Sequence, residues 1–102
     1  MNEQTKIKRA LESLPYEVLT QWSSGTDDTD VLLKNATDYS KDEDVSILKV
    51  MLKFAEETLA TYEDGGDNRH INYDMRLDDY EAWIQERKEI KSYIRKLKGY
   101  LK

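Results

Sequence analysis

The chain has no cysteine, one proline, one histidine, one phenylalanine and four glycines in 102 residues. Without cysteine there is no disulfide, thiolate zinc site, iron–sulfur cluster or cysteine nucleophile, and a reducing compartment is the natural setting. So few glycines and prolines favour helices joined by short polar turns over a β-sandwich, which needs many turn residues. No apolar run approaches the roughly 18 residues of a membrane span, and the N-terminus is polar and charged where a signal peptide needs an apolar stretch. A cytoplasmic protein with no membrane partner is the expectation.

The single histidine, His70, lies in Asn68-Arg69-His70-Ile71-Asn72 with no nucleophile elbow and no orienting partner that the sequence can identify. Gly65-Gly66 lacks the spaced glycines and following lysine of a phosphate-binding loop. Carboxylates are plentiful, at Asp27, Asp28 and Asp30, at Asp42, Glu43 and Asp44, and from Asp64 to Asp79. A calcium loop begun at Asp64 would need an oxygen ligand where Gly66 stands, glycine where Arg69 stands and glutamate where Met75 stands. No carboxylate spacing singles out a general acid and a base. The expectation is a non-enzyme with no cofactor and no metal.

What the chain does have is charge, on 36% of its residues, arranged around apolar positions at helical spacing. Ile7, Ala10, Leu11 and Leu14 make one amphipathic stripe, and Pro15 is placed to start a second helix whose apolar face is Tyr16, Val18, Leu19 and Trp22. Gly25 suits a left-handed helix cap, with Thr26 or Asp27 capping a short helix around Val31, Leu32, Leu33 and Ala36. Ser40-Lys41-Asp42-Glu43 fits a capping box opening a helix with Leu48, Met51, Leu52, Ala55, Leu59 and Tyr62 on its core face. Asp74 can cap a final helix in which Tyr80, Arg87, Ile94 and Leu101 alternate with Trp83, Ile90 and Leu97 as an a/d seam. The pattern predicts an all-α fold, a small bundle of four to five helices with a long C-terminal amphipathic helix. It forms one domain, 1–102, with helices near 3–14, 15–23, 29–38, 41–62 and 75–100, and with no sheet beyond at most a short hairpin in 63–74.

A final helix of about 27 residues would span roughly 40 Å, longer than a compact globule of this size is wide. Self-association through Trp83, Ile90, Ile94, Leu97 and Leu101, as a homodimer, follows as an expectation.

The formal net charge of −5 is uneven: +1 over residues 1–16, −11 over 17–85 and +5 over 86–102. Tyrosine is amphipathic and common at interfaces, and Tyr39, Tyr62, Tyr73, Tyr80, Tyr93 and Tyr100 are interleaved with Asp and Lys. The segment from Tyr62 onward adds Glu63, Asp64, Asp67, Tyr73, Asp74, Asp78 and Asp79 around the Gly-Gly pair, which makes it the expected acidic docking surface. Such a surface suits a small regulatory or inhibitory protein, of the phage-inhibitor or immunity-protein type. Its target would be a basic, nucleic-acid-handling partner, on which carboxylates stand in for phosphates. The alternative rests on Lys88, Lys91, Arg95, Lys98 and Lys102, which recur at helical spacing within about 80° of one another. This basic stripe fits either direct nucleic-acid binding, with Tyr93 and Tyr100 for base stacking, or the solvated flank of the seam, paired with acids on a neighbouring helix.

Overall fold

A computed structural model describes residues 2–23, 25–63 and 77–102, with Glu63 and residues 77–80 described through their backbone. Among these residues there are five helices and no strand: α1 (Glu3–Glu12), α2 (Tyr16–Trp22), α3 (Thr29–Glu43), α4 (Ile47–Glu63) and α5 (Leu77–Tyr100). The expected all-α bundle with a long C-terminal helix is the observed architecture. The segment expected to hold a hairpin, 63–74, lies almost wholly outside the described residues.

Local chemistry accounts for most helix ends. Asn2 caps α1 by accepting from the Thr5 N–H at 2.8 Å. Pro15 is the N-cap of α2, extended at ψ 143° rather than inside the first turn, and its carbonyl accepts from the Leu19 N–H. After α2 the chain reverses through Gly25, whose φ of 82° is left-handed and whose N–H reaches back to the Thr20 carbonyl at 3.1 Å. The cap of α3 is Asp28, not Thr26 or Asp27: its carboxylate accepts from the Asp30 N–H at 2.9 Å. Thr26 instead accepts from the Asp28 N–H and exchanges hydroxyl-to-carbonyl bonds with Ser23.

The expected boundary between the third and fourth helices is corrected. Ser40 does not open α4; it lies in the last turn of α3, where its hydroxyl donates to the Val45 carbonyl and its own carbonyl accepts from the Val45 N–H. Asp44, at φ 55°, closes α3 in the left-handed region. Ser46 stands at the start of α4 and accepts from the Lys49 N–H at 3.2 Å. Two serines six positions apart both satisfy local capping rules. Packing decides between them, because extending α3 brings Tyr39 edge-on against Phe54 with ring centroids 5.6 Å apart.

α4 is the axis of the molecule, in contact with each of the other four helices. That explains why its buried set, Leu48, Val50, Met51, Phe54, Ala55 and Thr58, is wider than the single stripe expected from periodicity. A helix surrounded on several sides buries more than one face. Leu52, Leu59 and Tyr62, expected in the core, are partly buried at its border. Tyr16, expected on the apolar face of α2, is 65% exposed while Val18 and Leu19 are buried.

α5 lies along α4 and α1 and contributes Trp83, Ile90, Tyr93, Ile94 and Leu97 to the interior. Its C-terminal third is tied to α1 by two bonds: Tyr93 Oη donates to the Ala10 carbonyl at 2.8 Å, and Lys6 Nζ to the Tyr100 carbonyl at 2.9 Å. The length problem is solved by shape. The molecule measures 44 × 27 × 22 Å with a radius of gyration of 14.6 Å, against about 13 Å for a compact domain of this size. The long axis accommodates the roughly 36 Å of a 24-residue helix.

Candidate functional site

The apolar seam expected on the final helix faces the interior of the bundle. Ile90 and Leu97 are 0% exposed, Trp83 and Ile94 are buried, and Leu101 packs against the same core. Residues with no accessible surface are taken up by contacts within the chain, so Ile90 and Leu97 pack the bundle's own core. Tyr93, expected to be available for stacking on bases, is buried as well; burial also raises its phenol well above the ordinary range.

Of the expected acidic set, Tyr62 is described: it is half-buried, and its hydroxyl donates to Glu86 Oε2 at 2.9 Å, bridging α4 to α5. Glu63 ends α4, and Asp78 and Asp79 fall in the first turn of α5. Asp64, Asp67, Tyr73 and Asp74, together with His70, lie outside the described residues.

A second acidic and aromatic surface was not singled out from sequence. It sits at the carbonyl end of α3. Tyr39 is 41% exposed and Val45 39% exposed, two of the three large hydrophobic residues on the described surface. Asp38, Asp42, Glu43 and Asp44, all exposed, surround them in sequence. The helix dipole places partial negative charge at this end, so three consecutive acids there cost stability. Asp38, Tyr39 and Asp42 also line an open groove between α2 and α3 with Gln21, Trp22 and Asn35.

The groove has a rigid floor. Trp22 stacks on Phe54 at 4.2 Å and 5°, and its Nε1 donates at 3.1 Å to both the Phe54 carbonyl and Thr58 Oγ1. Asn35 Nδ2 donates to the Trp22 carbonyl at 2.8 Å. The ammonium of Lys53 lies 5.8 Å from the centre of the Tyr39 ring, within cation–π range. The signal that could have revealed this surface was acids placed at the end of a helix; it was hidden because the same acids fit the start of the next one.

The basic stripe is exposed at all five positions, Lys88, Lys91, Arg95, Lys98 and Lys102. On the opposite flank of α5, Glu17 of α2 has its Oε2 buried and without a hydrogen-bond partner. Burial, and then the nearby charges of Glu86 and Glu89, raise its carboxyl above the ordinary value of 4.5. Among the described residues no three His, Cys, Asp or Glu side chains are grouped as a metal ion would require, and no helix is long and apolar enough to cross a membrane. Comparison with known proteins finds no matching family model, no similar curated protein and no similar solved structure.

Proposed function

We propose that this chain is a non-enzymatic protein-interaction module, a small regulatory or inhibitory protein that docks on the basic surface of a nucleic-acid-handling partner. The observation that carries this reading is the end of α3, where exposed Tyr39 and Val45 sit among Asp38, Asp42, Glu43 and Asp44. A partly apolar centre with a charged rim is the usual anatomy of a docking patch, and the carboxylates supply the charge that steers a basic partner. Acids kept at the helix end that disfavours them break a local rule without a compensating contact, as functional positions do. The acidic segment from Glu63 to Asp79 is the second element of the same reading.

The test is capture from the native host on the immobilised chain, compared with two charge-reversed variants, Asp38→Lys with Asp42→Lys and Asp64→Lys with Asp67→Lys. The reading expects a basic, nucleic-acid-handling protein that a DNA or RNA competitor releases. It also expects at least one reversal to weaken capture tenfold or more while thermal unfolding stays in place, because exposed acids contribute little to stability. Capture indifferent to both reversals and to competitor would overturn it. So would a chemical turnover that neutral-amide substitutions abolish.

A further inference from the structure

We infer that the exposed flank of α5 is a second binding surface, one that tracks the phosphodiester backbone of duplex nucleic acid. The helical part of the stripe runs from Lys88 to Lys98, about 15 Å of helix, with Lys102 two residues past its end and with Ile90, Tyr93, Ile94 and Leu97 of the same helix buried. Lys88, Arg95, Lys98 and Lys102 are exposed and make no ion pair with any described residue. The structural explanation for these cations, pairing with acids on a neighbouring helix, therefore does not account for these four. An open groove beside them is lined by Leu59, Gln85, Ser92 and Arg95, with Glu89 its one acid among the described lining residues.

The acidic character of the whole chain opposes this binding only at short range. α3, which carries the acidic patch, and α5 both pack on α4, and contact between α3 and α5 is slight or absent. Two interhelical spacings of 8–10 Å put their axes up to roughly 16–20 Å apart, against a Debye length of about 8 Å at physiological salt. At that separation the patch on α3 is largely screened from a ligand on the stripe.

Duplex rather than single-stranded nucleic acid follows from what the flank lacks. Tyr93 is buried with its hydroxyl bonded to the Ala10 carbonyl, and Tyr100 packs partly buried against the same core, so neither offers bases an open ring face. Single-strand binding depends on such stacking platforms, whereas a duplex presents the denser row of phosphates. Contacts to phosphates carry no sequence information, so the inferred interaction is independent of sequence.

Fluorescence anisotropy with labelled 20-base-pair DNA and RNA duplexes and the matching single strands tests this on the full chain. Four phosphate contacts predict an affinity loss of about 150-fold for a duplex between 50 and 200 mM salt, and about 50-fold for a single strand. Lys98→Gln with Lys102→Gln removes two contacts, so the duplex salt response should fall to about 12-fold. Circular dichroism should show the variant folded, since both side chains are exposed. Absence of duplex binding at 50 mM salt, or a salt response that the substitution leaves unchanged, would overturn the proposal. So would tighter binding to single strands, to phosphatidylserine vesicles or to polyglutamate. The measurement is independent of the acidic patch, so its failure leaves the protein-docking proposal standing and its success does not support it.

Discussion

Trp22 does three things at once: its ring covers Phe54, its Nε1 joins α2 to the α4 backbone, and its carbonyl holds Asn35 of α3. Trp22→Phe keeps an aromatic face and loses the shared hydrogen bond, while Thr58 Oγ1 still donates to the Phe54 carbonyl at 3.0 Å. The expected cost is about 1 kcal/mol. Phe54→Ala is different in kind, because it opens a cavity under both Trp22 and Tyr39. A loss of about 3–5 kcal/mol by urea unfolding is expected, a large part of what a domain of this size has. Glu17 gives a prediction of opposite sign. Its carboxyl is raised in the folded state, so the ionised form opposes folding; that penalty is complete above the folded pKa, shrinks as pH falls through it and is gone below 4.5. Glu17→Gln should therefore raise Tm at pH 7 by about 2 °C, a small effect because solvent screens part of the carboxylate. The difference from wild type should fade as the scan is repeated toward pH 4.

Helix ends are where sequence and structure agree least evenly. α1 and α2 follow from apolar periodicity and Pro15 within a residue or two, because one stripe and one breaker leave a single solution. The junction of α3 and α4 was not legible. Ser40 and Ser46 offer equivalent local chemistry, and the contact of Tyr39 with Phe54, which decides the matter, joins residues 15 apart in sequence. The consequence reaches the proposed function, because Asp42 and Glu43 change from favourable first-turn acids to unfavourable last-turn ones, and Asp44 becomes the left-handed cap. Glu43→Lys is thus expected to stabilise the fold by about 0.5 kcal/mol and to weaken partner capture, two opposite changes from one substitution. The two described glycines separate in the same way. Gly25→Ala places a β-carbon at φ 82° and should cost about 1 kcal/mol. Gly99→Ala, in a helical turn with open space around it, should stabilise by about 0.5 kcal/mol. Paired thermal melts decide both.

At the scale of the whole molecule, the fold class was readable because every long apolar pattern is helical, and the charge asymmetry was readable because it is a matter of counting. What could not be read was which apolar face meets which. Trp83, Ile90, Ile94 and Leu97 carry a pattern that a coiled-coil dimer and an internal bundle share, and only the position of α4 distinguishes them. The two proposed surfaces were half legible for the same reason: the stripe on α5 depends on spacing within one helix, whereas the patch at the end of α3 depends on where that helix stops. The bonds between α1 and α5 have a consequence for synthesis. Ala10 and Tyr93 are 83 positions apart, so at ribosomal speeds of about 5–20 residues per second the first helix waits roughly 4–17 s for its partner. During that interval Ile7, Leu11 and Leu14 have no α5 to cover them. The nascent chain therefore carries this apolar stripe without its α5 partner until α5 has been synthesised.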